Sequence, residues 1–390
     1  MGTIVNTDDV RRMAHRRLPK FVFDFVDGGA EDEVTLRANR RAYEDITFRS
    51  RVLVDVSQRD MGTTVLGEPV KLPVLLAPAG SQTLLRSEGE LASARAAGRE
   101  GTIFALSTAS GYTIEEVAAV ATGPLWFQLY PLGMQKDTAS LVERARNAGY
   151  KALCVTVDVP TVGKREREIR NKVSLPPRVT FNKLSDLVRR PLWLSDFAFG
   201  PRFMLKNLED IESLRGKPAR AVWEYWGKAR ANRVFTWEDM AWLRRLWSGP
   251  LVIKGIMTAE DAQRALDHGV NGIVVSNHGG RQLDGLPATI EVLPEIVAAV
   301  AGRAEVFIDG GIRRGADVVK AIALGARACL IGRPYLFGLA MGGEAGVRQV
   351  IQMLQSEIDR TMTFLGCRTL AEVDHTAVRW RQANLLHRSI

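Results

Sequence analysis

Cysteine is scarce: the 390 residues hold three, Cys154, Cys329 and Cys367, with no CxxC pair among them. Two of them sit inside apolar runs, ALCVTVD and ACLIG, where a free thiol behaves as a small hydrophobe, so neither a disulfide framework nor a structural zinc is expected. Histidine is also sparse. The five, at positions 15, 268, 278, 375 and 387, never lie three to five residues apart, so the helical spacing of histidine metal ligands is missing and no metal is expected. No uninterrupted apolar run reaches the roughly 18 residues of a spanning helix. The opening MGTIVNTDDVRRMAHRR has no apolar stretch behind its charges, so a signal peptide is not expected and the cytoplasm is the default address.

What is present reads as an ordinary globular chain able to bury a large core: 46% hydrophobic residues, 25% charged and 35 glycines. Lysine and arginine number 53 against 44 acids, an excess of nine that suggests partners of opposite sign: nucleic acid, an acidic membrane surface or anionic ligands. No RNP, zinc or helix-turn-helix signature accompanies the charge, so nucleic acid is not expected.

Eight short aliphatic or β-branched runs recur, at 74–80, 103–108, 125–130, 152–158, 251–255, 272–277, 305–311 and 328–332. They do not alternate apolar with polar, which is the pattern of strands covered on both faces in a parallel sheet. Helix starts lie between them: Ser87 with Glu90, Thr113 with Glu116, Thr236 with Asp239 and Thr258 with Asp261 have capping-box spacing. Val347, Val350, Ile351, Leu354, Ile358, Met362 and Leu365 form a helical stripe that Gly366 stops. Eight strand and helix units make either an open doubly wound sheet or a closed barrel, and eight favours an α/β fold of the (β/α)8 barrel type.

Two segments fall outside this rhythm. Residues 1–60 read as an N-terminal helical cap on a single domain spanning 1–390. Residues 176–233 form a long insertion after the fourth strand, with 12 basic and 6 acidic residues and the interleaved aromatics Trp193, Phe197, Phe199, Phe203, Trp223 and Trp226. Basic and large apolar groups together suit an anionic lipid surface. A solvated insertion whose aromatics pack onto the barrel or a neighbouring subunit is the alternative, and both stay open.

Barrel sites lie at the carboxyl ends of the strands. Polar residues crowd those ends: Gln128 and Tyr130, Thr156 and Asp158, Lys254, Ser276 and His278, Asp309, then Gly332 and Arg333. Strands seven and eight run into DGGIRRGAD (309–317) and IGRP (331–334), where bare glycine N–H groups, Arg313, Arg333 and following helix starts predict a phosphate site. His278 and Arg281, in SNHGGRQLDG, offer a base near neutral pH beside a cation suited to a carboxylate. If the barrel closes, His278 faces Asp158 and Arg165. His15, His268, His375 and His387 read as structural. An ammonium at Lys254, ending a buried strand, needs an anionic partner.

The motifs LPKFVFDFVDGGAED, WFQLY, TVDVP, VIKG, SNHGGRQLDG and DGGIRRG, in this order, resemble those of the FMN-dependent L-2-hydroxy acid oxidases and dehydrogenases. The likeness covers nearly everything but 176–233. It implies bound FMN, its phosphate held at Asp309, Gly310, Gly311, Ile312, Arg313, Gly332 and Arg333, and its ring lined by Pro78, Ala79, Gly80, Ser107, Gln128 and Thr156. Lys254 matches the lysine beside flavin N1 and O2, and the flavin would then be its anionic partner. His278 becomes the base, Asp158 orients it, Arg165 and Arg281 bind the substrate carboxylate, and Tyr130 hydrogen-bonds at the reacting oxygen. A 2-hydroxy acid is then oxidised to a 2-keto acid, hydride transfer being preferred to a carbanion route. The resemblance also implies a homo-oligomer, by family a tetramer.

Three departures bear on the substrate. Phe25 stands where the family usually has tyrosine, a lost hydrogen bond to a charged group worth roughly 1.5–3 kcal/mol. Gly80 replaces an alanine common in the oxidases. Ala109 stands where glycolate oxidase has tryptophan, which predicts aromatic or long-chain substrates such as mandelate, with lactate also open. Gly80 and the basic aromatic insertion tilt the electron acceptor toward a membrane quinone or other carrier and peripheral attachment to the inner face of the cell membrane. An oxidase that releases H2O2, or a family member with a non-standard substrate, is the alternative. Flavin isomerases and IMP-dehydrogenase-like barrels share the glycine-rich loops but lack the His278 and Arg281 pair.

Overall fold

The computed structural model describes residues 3–172, 181–201, 203–231 and 235–381. Eight parallel strands close into a barrel: β1 (Val74–Leu76), β2 (Phe104–Ser107), β3 (Leu125–Leu129), β4 (Ala152–Thr156), β5 (Leu251–Ile256), β6 (Gly272–Val275), β7 (Glu305–Ile308) and β8 (Ala328–Ile331). Each pairs with its neighbour in sequence, and β8 closes on β1 through Cys329, Leu330 and Ile331 opposite Val74, Leu75 and Leu76. All but β5 are shorter than the apolar runs that predicted them. Tyr130, Asp158, His278 and Asp309 consequently stand just past the strand ends, on loops.

Both strand faces are buried, for two different reasons. Leu75, Ala105, Trp126, Cys154, Val252, Val274, Phe307 and Leu330 fill the barrel interior, with Trp126 edge-on to Phe307 at 5.4 Å between ring centres. Alternate residues such as Leu76, Phe104, Phe127, Ile253 and Ile308 face the helices outside. A hairpin of Thr63–Val65 and Glu68–Val70 inserts Val65 and Val70 into the interior cluster and plugs its amino end. The barrel is therefore filled, and only its carboxyl end is open for a site. Burial pushes the Cys154 thiol up to about 12, as befits an inert core residue.

Before the barrel come three helices, Thr7–Arg17, Lys20–Asp27 and Val34–Glu44, and a strand Ile46–Phe48 that pairs antiparallel with Val378–Trp380. Helix Thr7–Arg17 packs on the long helical segment Arg333–Leu365. That segment leaves helical geometry at Gly342 and Gly343, and the stripe from Val347 to Leu365 is buried as predicted. Gly366, at φ 68, caps it in the left-handed region.

Three of the four capping pairs open helices. The Glu116 amide donates to the Thr113 hydroxyl, the Asp239 carboxylate accepts from the Thr236 amide, and the Asp261 amide donates to Thr258. Ser87 with Glu90 is a correction: the Ser87 hydroxyl donates to Asp196 at 2.6 Å, while Glu90 is fully buried and accepts from the Gln82 and Gly111 amides, both at 3.1 Å. Tertiary partners outbid the local cap because Asp196, in the insertion, lies against this loop.

The segment after β4 is helical over Glu166–Arg170, Phe181–Val188, Pro191–Phe199, Lys206–Glu209 and Ala219–Ala231, and residues 173–180, 202 and 232–234 lie outside the described residues. Its aromatics divide. Trp193 is buried, donates to the Leu84 carbonyl and stacks on Phe197; Phe203 stacks on Trp223; Trp226 meets Tyr130 edge-on at 5.8 Å. Phe199, by contrast, is 91% exposed, with Val188, Leu192 and Leu194 exposed beside it in sequence.

Candidate active site

A cleft of about 1400 Å³, mouth included, opens at the carboxyl end of the barrel. Among its lining residues are Pro78, Ala79, Gly80, Ser107, Ala109, Tyr130, Arg165, Lys254, His278 and Arg281, then Asp309, Gly310, Gly311, Ile312, Arg313, Gly332 and Arg333. Gln128, Thr156 and Ser276 are buried beside it, hydrogen-bonded to lining residues or to one another. Ser107 donates to the Gln128 amide oxygen and the Gln128 amide nitrogen donates to Thr156, each at 2.9 Å, so this row braces the wall from inside. Ser276 accepts from Lys254 at 2.7 Å and from the His278 amide at 3.1 Å.

His278 is held from three sides. Its backbone sits at φ 57, in the left-handed region that costs a non-glycine residue energy, followed by Gly279 at 65 and Gly280 at 71. The loop is locked because Ala30 donates to the Gly280 carbonyl at 2.9 Å, and a Cβ on Gly29 would lie 2.8 Å from that same oxygen. Nδ1 faces both oxygens of Asp158 at 3.0 and 3.2 Å, so it carries the proton, and Nε2 turns toward the Tyr130 hydroxyl at 3.4 Å. Asp158 reaches this position past Gly255, where a Cβ would stand 2.6 Å from that of Asp158.

Burial holds the His278 imidazole below its ordinary 6.5, against the pull of Asp158 in the other direction. It is therefore neutral, with Nε2 free to accept a proton, through the neutral range. For Asp158, burial pushes the carboxyl up, but the His278 ring and the Lys254 ammonium outweigh it and keep it ionised. Lys254 has an anionic partner within the chain, Asp309 at 2.8 Å. Burial works against the ammonium, yet Asp309 and Asp158 raise its pKa above the ordinary value.

Two guanidiniums stand side by side at the mouth. Arg281 donates to the Phe25 and Gly28 carbonyls at 2.8 and 2.9 Å and lies over the Phe25 ring at 5.5 Å. Arg165 donates to the Arg281 carbonyl and the Gln282 side chain, both at 3.3 Å. Burial, then repulsion from Arg165, lowers the Arg281 pKa well below that of a solvated guanidinium, so the pair favours an anion between or in front of it.

At the other end, Arg313 and Arg333 are partly buried guanidiniums whose hydrogen bonds go to carbonyls: Ile312 for the first, Val26, Gly279 and Gly28 for the second. Burial pushes Arg313 down to about 10 and Arg333 down to about 9. Partly buried cations depressed in this way call for a bound anion. Gly310 and Gly311, at φ 94 and 78, turn a bare backbone to the same place, and Gly332 has open space where a side chain would be. The Asp309 Oδ1 oxygen is buried without a hydrogen-bond partner beside them. A phosphate-bearing group with a polar ring edge fits these residues.

Composition and spacing missed part of the wall. Val159, Leu205, Trp223 and Trp226 line the cleft, three of them from the insertion, as do Val26 and Leu85. Only the density of aromatics at 193–226 hinted at them. Among the described residues no cluster of His, Cys, Asp or Glu could hold a metal, and no helix is long and apolar enough to cross a membrane.

The model of the FMN-dependent dehydrogenases matches residues 14–380. Glycolate oxidase of Spinacia oleracea is 43% identical over 97% of this chain and 96% of its own length. L-lactate oxidase of a Nostoc species is 46% identical over 95% of this chain and 96% of its own. Among solved structures, the monotopic membrane protein (S)-mandelate dehydrogenase superposes with a TM-score of 0.92, at 38% identity, covering 97% of this chain and all of that one. With a filled barrel, a phosphate cradle and an imidazole beside two guanidiniums, the chain belongs to the FMN-dependent dehydrogenases, flavoenzymes that oxidise 2-hydroxy acids.

Proposed function

We propose that this enzyme oxidises L-2-hydroxy acids with a large or aromatic side chain, of the mandelate kind, to the 2-keto acid, and passes the electrons to a quinone or similar carrier at a membrane. The observation that carries the substrate class is the wall of the cleft. Ala109 is small, while Val159, Leu205, Trp223 and Trp226 supply apolar area opposite the charged groups. A phenyl ring has somewhere to go, and burying it there is worth roughly 1.5–3 kcal/mol in all.

In this reading Arg165 and Arg281 bind the carboxylate and hold the 2-hydroxyl toward His278. Nε2 of His278 removes the hydroxyl proton, Asp158 stabilises the resulting imidazolium through Nδ1, and the Tyr130 hydroxyl hydrogen-bonds to the reacting oxygen. The Cα hydrogen leaves with its bonding pair as hydride, for which bound FMN would supply the acceptor. Arg313, Arg333 and the glycines 310, 311 and 332 would hold its phosphate, Lys254 and Asp309 would meet its polar ring edge, and residues 78–80 would line its face.

The carrier is supported by the exposed apolar residues Val188, Leu192, Leu194 and Phe199, next to the exposed Arg189. Such a face suits the headgroup region of an anionic bilayer. The test is anaerobic bleaching of the purified yellow protein by L- and D-mandelate, L-lactate and glycolate, followed by air or a soluble quinone. L-mandelate is expected to bleach fastest and the quinone to restore the colour faster than air. Glycolate bleaching as fast as mandelate would contradict the substrate class, and rapid recolouring in air would favour an oxidase.

A further inference from the structure

Against the two guanidiniums, and not among the residues that line the cleft, stands a carboxylate that the mechanism does not use. One oxygen of Glu168, Oε1, lies 3.2 Å from the Nη2 of Arg281 and 3.5 Å from the Nη1 of Arg165. Glu168 sits on the short helix Glu166–Arg170, one turn after Arg165, whereas Arg281 arrives from the loop after β6. All three side chains are largely buried, with 20% of Glu168, 12% of Arg165 and 15% of Arg281 exposed. Two cations and one anion leave the cluster one positive charge, enough to neutralise a single carboxylate.

We infer that Glu168 sets the charge selectivity of the substrate site, restricting it to ligands with one carboxylate by cancelling half of the positive charge that faces the cleft. This rests on the reading of Arg165 and Arg281 as the carboxylate site. Glu168 touches neither substrate nor cofactor in this account and acts through the two arginines. The neighbouring Arg167 does not share the role, because its guanidinium is taken by Asp27 and Glu33.

A charge effect and a merely mechanical brace differ in sign and in scaling. Coulomb energy is proportional to ligand charge, so removing the Glu168 charge tightens a monoanion by some factor and a dianion by about the square of it. For a carboxylate a few ångströms beyond the guanidiniums that factor is about three- to tenfold. Loss of a brace would weaken both ligands alike.

The experiment compares wild-type holoenzyme with Glu168→Gln, and with Glu168→Ala as a second uncharged variant should the first not fold. Dissociation constants for benzoylformate (one carboxylate) and phenylmalonate (two) are read from quenching of tryptophan fluorescence, since Trp223 and Trp226 line the cleft, and from calorimetry. The expected result is a three- to tenfold gain for benzoylformate, a ten- to hundredfold gain for phenylmalonate, and near wild-type selectivity in Glu168→Asp. Equal weakening of both ligands, or no change in their ratio, overturns the role of Glu168 while leaving the carboxylate site intact. If the wild type binds neither ligand, the carboxylate site and this inference fall together.

Discussion

His278 shows how much a single position depends on its surroundings. Its motif was legible because a glycine-flanked histidine followed by arginine is rare, but its tautomer follows from Asp158, 120 residues away in sequence. Burial lowers the imidazole pKa and Asp158 raises it. In the mechanism proposed above a neutral imidazole is the base, so activity is expected to fall on the acid side, with a midpoint in kcat/KM below 6.5. Asp158→Asn removes the raising influence. Its midpoint is expected to move further down while kcat falls by about two to four orders of magnitude, as for other oriented histidine bases. A pH profile that moves up in the variant would contradict the pairing. Gln128, Thr156 and Ser276 share the inward direction of Trp126, Cys154 and Val274, each two residues earlier, because strand residues alternate in direction, and they top the barrel interior beside the cleft.

Among elements, the helix Gly89–Arg99 departs furthest from its local signal. Ser87 and Glu90 have capping spacing, yet Glu90 turns inward to bridge the loops after β1 and β2 through the Gln82 and Gly111 amides. Burial, only partly offset by those hydrogen bonds, pushes its carboxyl up to about 7. A folded value above the unfolded 4.5 means that the folded state holds the proton more tightly. The resulting stability is full below about pH 4.5 and is lost as the pH rises through 7, a change of roughly 3 kcal/mol at most. Glu90→Gln is uncharged throughout, so its melting temperature relative to wild type is expected to climb by several degrees between about pH 5 and about pH 8. Parallel melting curves over that range would contradict it. In the other three pairs the hydrogen bonds between residues three apart form as the local spacing predicts.

At the scale of the whole molecule, the insertion does two things that its composition could not separate. One part packs inward and supplies Leu205, Trp223 and Trp226 to the cleft. The other leaves Leu192 and Phe199 at 64% and 91% exposure. Leu192→Ser with Phe199→Ser is expected to reduce co-sedimentation with vesicles containing phosphatidylglycerol by at least tenfold, since burial of each side chain is worth roughly 1.5–3 kcal/mol. Turnover of the same variant with a soluble dye acceptor is expected to match wild type, and unchanged sedimentation would count against a membrane face. The amino-acid order by itself determined the eight strand and helix units, the glycine and arginine cradle and the histidine loop, because periodicity and turn chemistry are local. Only the tertiary structure decided several of the pairings. Barrel closure brings Glu168 to Arg281 and Asp309 to Lys254, and divides the insertion between cleft and solvent, because contacts between residues tens to more than a hundred positions apart depend on packing that no short window of sequence records.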